Sequence, residues 1–141
     1  MIEQALLTYL QSDATLTTKL GGLSHICVVQ APTKVTMPYL IIEPTGGTRE
    51  NITAGKVEEI NSVRIKVDVP ADKMIAGKAI IELAHDLVEN YRGDIIGLSD
   101  LHISCSAISD FPGLAGVYRY QFSASCRWIE TRKKPSRYDP S

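Results

Sequence analysis

The most restrictive feature of the sequence is a long alternation of apolar and polar residues between positions 118 and 128. Every second residue is apolar: Tyr118, Tyr120, Phe122, Ala124, Cys126 and Trp128. This period of two predicts a β-strand with one face on a hydrophobic core and the other in solvent. A strand of about twelve residues spans about 40 Å, whereas a domain of this size has a radius of gyration of roughly 14 Å. We therefore expect the strand to project beyond the core.

Two kinds of segment complete the predicted core. Residues 63–69 alternate valine or isoleucine with charged side chains and predict a second half-buried strand, and 101–107 predict a third. Residues 71–92 carry an apolar stripe at helical spacing and predict the longest helix, which Gly93 is expected to end. We expect the first part of the apolar face of this strand, Tyr118, Tyr120, Phe122 and Ala124, to pack on the helix.

The first twenty residues predict helical structure, because apolar side chains recur at spacings of three and four. A second short helical segment is expected to start at Ser12 or Asp13 and to stop at the Gly21-Gly22 pair. Two short strands are predicted next, at 25–31 and 39–43.

Residues 44–59 consist mostly of glycine, threonine and charged residues and are predicted to form a long loop. Such a loop is uncommon in a small domain unless it has a function. It is either a flexible hairpin tip or a contact arm for a neighbouring subunit. The candidate contact residues of the arm are Arg49, Glu50, Asn51 and Lys56.

Residues 131–141 form a basic segment with two prolines, which cannot bury apolar surface and is expected to be mobile in the free subunit. Its basic residues are Arg132, Lys133, Lys134 and Arg137. The segment is either a solvated end or a second arm that contacts an acidic partner or passing DNA.

Composition excludes several classes of function. The chain has 141 residues, which is enough for one hydrophobic core, and a net charge of -1, whereas a domain devoted to nucleic-acid binding carries a clear basic excess. No apolar run reaches the roughly 20 residues that span a bilayer, and the first residues lack the basic region of a signal peptide. Three widely spaced cysteines do not indicate disulfides. We therefore expect folding in a cytoplasm and no contact with a membrane.

No group of residues has the spacing that catalysis or metal binding requires. His25 lies near Cys27 and His102 near Cys105, but neither pair has a second pair at zinc-site spacing. The sequence also contains no serine nucleophile motif and no glycine-rich phosphate loop. We predict no catalytic residue, no metal and no cofactor, and therefore no enzyme.

The order of the predicted elements indicates a single α+β domain over residues 1–130, followed by the basic tail at 131–141. We expect a mostly antiparallel sheet of four to five strands, packed against one long helix plus an N-terminal helix.

Three stretches of the chain resemble the tail terminator, or tail completion, proteins of long-tailed phages. The stretches are the helix at 1–10 followed by Met37-Pro38-Tyr39-Leu40-Ile41-Ile42, the strand at 63–69 that feeds directly into the long helix, and the strand from Gly116 to Glu130. The resemblance covers residues 1–130 and rests on the order and spacing of the stretches. The basic tail departs from the pattern and leaves the mode of docking open.

The resemblance implies a structural role in a phage, prophage or tailocin particle. It predicts a homo-oligomeric ring, commonly a hexamer, that caps the tail tube and joins the tail to the head. The implied partners are further copies of this chain, the tail tube protein and a connector protein of the neck, with transient contact to DNA. The implied location is the tail–head junction of a virion that is assembled in the cytoplasm of a bacterial host.

Two other functions remain open at this point. One is a head completion, or stopper, subunit of the neck, which is also an assembly protein. The other belongs to a different class, a small-molecule-binding α+β domain, and requires a pocket with converging polar groups.

Overall fold

A mixed sheet with helices on one face organises the described part of the chain, which in this computed structural model comprises residues 2–31, 35–53, 56–95, 98–112 and 116–131. The helices are α1 (Ile2–Gln11), α2 (Ala14–Leu20) and α3 (Met74–Val88). The strands are β1 (Ile26–Val28), β2 (Tyr39–Thr53), β3 (Lys56–Pro70), β4 (Arg92–Ile95), β5 (Leu98–Cys105), β6 (Ser109–Pro112) and β7 (Val117–Thr131). None of the helices described has the length and apolar content needed to span a bilayer.

The sheet has the strand order β1-β2-β3-β7-β5-β4, with β6 paired to a further part of β7. Only β1 and β2 pair in parallel, and the other pairs among the described strands are antiparallel. The prediction of a single domain with a mostly antiparallel sheet is correct, but the predicted four to five strands are too few. The missing strands, β4 and β6, have four residues each. They lie in short segments without the apolar period that predicts a strand.

The long alternating strand is confirmed as β7, and its apolar side chains line the core. The Tyr120 hydroxyl donates a 2.9 Å hydrogen bond to the Met74 carbonyl at the start of α3, and the His85 ring contacts Phe122 edge-on with centroids 4.8 Å apart. The apolar face of β7 therefore packs on the long helix, as predicted. The end of β7 does not project as a single strand, because β7 pairs with β3 from Val117 to Thr131.

The long helix is shorter than the predicted 71–92. A single 3-10 turn precedes α3, which ends at Val88, and Arg92 already belongs to β4. Glu89 is extended, and Asn90 adopts a left-handed conformation with φ 59°, so that the chain reverses before Gly93. The prediction that Gly93 ends the helix is therefore wrong.

The N-terminal prediction is confirmed in its main points. Asp13 caps α2 by accepting a 2.8 Å hydrogen bond from the Leu16 amide. Gly21, with φ 101°, ends α2 and donates its amide to the carbonyls of Thr17 and Thr18. The strand predicted at 25–31 is limited to β1, because a 3-10 turn takes up residues 23–25 and Val29 adopts a left-handed conformation with φ 72°.

The loop predicted at 44–59 is a paired hairpin in the structure, so this prediction is wrong. β2 and β3 continue their antiparallel pairing to Thr53 and Lys56, with register shifts after Pro44 and Asn51. Residues 54 and 55, and the basic segment from 132 onward, lie outside the described residues. The backbone hydrogen bonds of the ladder stabilise a segment whose side chains contain little apolar surface.

Candidate assembly surfaces

The far part of the long hairpin brings the predicted contact residues together. We call this part, residues 43–53 of β2 with 56–62 of β3, the distal hairpin. Within it Arg49, Glu50 and Asn51 stand opposite Glu59, Glu58 and Val57, and Thr53 stands opposite the exposed Lys56. The four sequence-predicted contact residues of the arm therefore occupy neighbouring ladder positions at one end of the molecule.

The distal hairpin also has an uncovered strand edge. β1 pairs with β2 only at Leu40, Ile41 and Ile42, and beyond them the described part of β2 pairs with β3 alone. An open edge presents backbone donors and acceptors that another strand can bind. Pro44 and the register shift after it interrupt this edge, which limits unspecific pairing.

Ion pairs organise the sheet face that lies away from the helices. Arg119 donates two hydrogen bonds of 2.6 and 2.7 Å to the carboxylate of Asp68, which is 2% exposed. This hydrogen bonding with Asp68 raises the pKa of the Arg119 guanidinium. Glu43 accepts from Arg64 at 3.3 Å and from Lys66 at 3.4 Å. These contacts hold β2, β3 and β7 in register and leave no reactive group.

An apolar groove lies between the first turn of α3 and β6. It has a volume of about 660 Å³ and is lined by Met74, Ile75, Lys78, Glu82, Ile108, Asp110 and Tyr120. The Ile75 side chain is 89% exposed. Two polar groups of the groove are engaged in hydrogen bonds: the Tyr120 hydroxyl donates to the Met74 carbonyl, and Asp110 accepts a 2.5 Å hydrogen bond from Tyr118. That hydrogen bond raises the pKa of Tyr118 to about 12.

The cysteine and histidine pairs form no reactive or metal-binding site in the described structure. The His25 Nδ1 atom lies 2.7 Å from the Pro38 carbonyl, and the Cys27 thiol donates to the Ser24 carbonyl at 3.5 Å. Burial raises the pKa of Cys105 to about 12, which disfavours a thiolate. Among the described residues no group of three or more His, Cys, Asp or Glu side chains could hold a metal ion.

The remaining predicted contact residues belong to the basic tail. Four basic tail residues, Arg132, Lys133, Lys134 and Arg137, lie outside the described residues. The exposed Ile75 could not be singled out from the sequence, because it lies in a helix whose apolar stripe, with Ile80, Ile81, Ala84 and Val88, forms part of the core. A basic row across the sheet, Arg92, His102 and Arg127, could not be predicted either, because its members are far apart in the chain.

Comparison with known proteins agrees with this architecture. The sequence model of the family described as "Tail completion protein gp17" matches residues 4–108, which is more than half of the chain. A solved structure titled "Virion of native gene transfer agent (GTA) particle" contains a similar chain, with a TM-score of 0.76 and 14% sequence identity. The alignment covers 91% of this chain and 94% of that chain. No curated protein sequence matches.

Proposed function

Because the chain belongs to the tail completion protein gp17 family, we propose that it forms a ring that caps the tail tube and joins the tail to the head. Members of this family are structural proteins of phage-type particles, and the protein is accordingly a virion assembly protein and not an enzyme. The proposed ring is a hexamer of identical subunits. Its proposed neighbours are the tail tube protein on one side and a connector protein of the neck on the other.

The observation that carries this proposal is the family match together with the distal hairpin. A ring needs a surface on each subunit that fits a different surface of the next. The open edge of β2 beyond Ile42 offers backbone hydrogen bonds, and the ladder positions of Arg49, Glu50 and Lys56 add charges of both signs. Such a surface supports specific contacts to a neighbouring subunit or to the last ring of the tube.

Capping in this proposal is a steric event. One face of the ring matches the last tube ring, so further tube subunits find no free surface on which to add. The other face binds the neck. The apolar groove beside Ile75 supports a second contact, because exposed apolar surface on a soluble subunit is typical of interaction sites. The basic tail residues Arg132, Lys133, Lys134 and Arg137 are proposed to add charge pairs with an acidic partner.

The similarity to a chain of a gene transfer agent virion supports the fold, and on that basis we propose assembly into a particle of the same general kind. A phage, a prophage or a tailocin would each use such a subunit. The proposal does not need a ligand or cofactor, since its energy comes from interfaces between proteins.

The decisive experiment compares two variants with the unchanged protein during tail assembly. In one variant Arg49, Glu50 and Asn51 are replaced by serine, and in the other residues 132–141 are deleted. Both should fold normally, as measured by circular dichroism and thermal unfolding. Both should weaken ring formation in light scattering and give overlong tubes, or tails without heads, in negative-stain images.

A matched control carries serine at Lys19 and Asp86, which are exposed on α2 and α3 and belong neither to the distal hairpin nor to the lining of the groove. It should assemble tails of normal length. Normal, head-joined tails from both test variants would move the contact surface onto the helices and the sheet. Binding to the connector without binding to the tube would instead indicate a stopper subunit.

A further inference from the structure

A row of basic side chains crosses the polar face of the sheet at the level of the distal hairpin. Arg92 on β4 stands directly opposite His102 on β5, and His102 stands directly opposite Arg127 on β7. Neither arginine has an acidic partner within ion-pair distance in the part of the chain that the structure describes. The two guanidinium groups are therefore not held in ion pairs by the described residues, and the nearest carboxylates, Glu58 and Asp100, line the hollow that they share with Arg92 and Arg127.

Two serines continue this face next to the basic row. Ser104 stands opposite Ser125, two residues along each strand from His102 and Arg127. The intervening Ile103 and Cys126 are buried in the core, so the four polar side chains lie on the same, opposite face. His102, Ser104, Ser125 and Arg127 line a hollow of about 250 Å³. The described lining contains neither a carboxylate nor an apolar side chain.

The chemistry of this hollow fits an oxyanion. A guanidinium presents a planar fork of donors that matches a phosphate group, and an imidazole and two hydroxyls can donate beside it. Arginine and serine side chains are also among the common contacts to phosphate oxygens of nucleic acids. A protein partner would instead need an aromatic or aliphatic anchor in a desolvated pocket, and the hollow offers none.

We infer that the His102–Arg127 hollow binds a phosphate group of a nucleic-acid backbone. A second hollow of about 150 Å³ lies on the other side of His102 and Arg127, and there Glu58 and Asp100 contribute carboxylates. Those carboxylates repel a phosphate and direct the backbone toward the serines. The site reads no base sequence, since it offers only backbone contacts. It stands independently of ring formation, and it is separate from the basic tail.

The charge balance of the protein sets the expected strength of this binding. The net charge is -1, so no general attraction adds to the local contact. One or two neutralised phosphates per subunit predict that the logarithm of the binding constant falls with the logarithm of the salt concentration with a slope of roughly -1 to -2. The binding is therefore weak for one subunit and is measurable at low salt.

The test uses the purified full chain and a short, fluorescein-labelled DNA duplex of random sequence, followed by fluorescence anisotropy across a salt series. Arg127→Gln should weaken binding about tenfold and make the salt slope shallower by about 1. The double variant Ser104→Ala, Ser125→Ala should weaken binding severalfold with an unchanged slope, because hydroxyls carry no charge. Arg127→Lys should keep the slope and lose part of the affinity, because the fork is missing.

The matched control is Arg64→Gln, an arginine on the same face that is paired with Glu43 at 3.3 Å. It should bind the duplex within about twofold of the unchanged protein. Three results would overturn the assignment: no binding at low salt, an unchanged affinity of Arg127→Gln, or an equal loss in Arg64→Gln. Tighter binding of a poly-glutamate peptide than of the duplex would overturn it as well, because the partner would then be an acidic protein.

Discussion

The two halves of the β3–β7 ladder differ in what they pack against. In the proximal half, residues 63–70 of β3 pair with 117–124 of β7, and the apolar face lies under α3. In the distal half, residues 56–62 pair with 125–131, and the other edge of β7 pairs with β5, which in turn pairs with β4. The buried residues there include a carboxylate, Glu59, in place of the valine and isoleucine of the proximal half.

The two halves also differ in whether their buried polar groups have hydrogen-bond partners. In the proximal half the Tyr120 hydroxyl binds the Met74 carbonyl, and the buried Asp68 binds Arg119. In the distal half Trp128 is 3% exposed, and within the described residues its indole N–H has no hydrogen-bond partner. A buried donor without a partner costs about 1 to 3 kcal/mol. The comparison indicates that the proximal half stabilises the subunit, whereas the distal half retains one unsatisfied buried donor, the Trp128 indole N–H, on a segment suited to assembly.

The largest effect should follow from removing the ring of Phe122, which is 2% exposed and packs against His85. Phe122→Ala should lower the free energy of unfolding by about 3 to 5 kcal/mol, because a cavity opens between β7 and α3. Urea denaturation followed by circular dichroism measures this loss. A loss below about 1 kcal/mol would contradict the assignment of the proximal half as the stabilising core.

The next effect concerns the closest approach of α3 to the sheet, at Gly77. A Cβ atom at this position would lie 2.7 Å from the Val69 Cγ2 atom and 3.0 Å from the Tyr120 ring. Gly77→Val should therefore destabilise the protein by about 1 to 3 kcal/mol through overpacking. Ala79→Val, at an exposed position of the same helix, is the matched control and should change stability by less than about 1 kcal/mol.

A pair of conservative substitutions tests the difference in hydrogen bonding directly. Tyr120→Phe should cost about 1 kcal/mol, because the Met74 carbonyl loses its donor. Trp128→Phe should cost less than Tyr120→Phe, or should stabilise, because the loss of packing is offset when the unpaired indole N–H is removed. Thermal unfolding of both variants decides the order. The reverse order would show that the distal half is as well satisfied as the proximal half.

The smallest effect on stability is expected at the end of the distal hairpin. Lys56 is exposed, and Lys56→Ala should change the free energy of unfolding by less than about 0.5 kcal/mol. If this end contacts a partner, the same variant should still weaken ring or tube binding in sedimentation assays. A stability loss above about 1 kcal/mol would instead assign Lys56 to the fold of the subunit.

The proximal half could be predicted from the sequence because its residues follow the period of their elements. Alternation identified β7 and the second half of β3, and helical spacing identified α3. The distal hairpin could not be predicted, since Thr45, Gly46, Gly47 and Thr48 show no apolar period. Their strand structure depends on backbone pairing with β3, which itself pairs with β7. Such pairing is a tertiary effect and leaves no local signal.

The candidate sites also differ in whether they could be predicted from the sequence. The residues at the end of the distal hairpin could be proposed from a local cluster of charge in the sequence. The basic row could not, because His102 and Arg127 lie on separate strands and Arg92 was assigned to the predicted helix. Only the register of three strands makes these side chains neighbours.

The position of β7 in the sheet determines when the subunit becomes competent during its synthesis. β7 is the last of the described strands along the chain, yet it lies between β3 and β5 and pairs Thr131 with Lys56. Until a ribosome has released this strand, β3 and β5 have no strand between them with which to pair, and the segment that joins them, which contains α3 and β4, can close only at an entropic cost. A truncated chain that lacks β7 therefore cannot complete the sheet and cannot present a partly correct contact surface to a growing particle. The topology makes translation of the last strand a checkpoint for assembly.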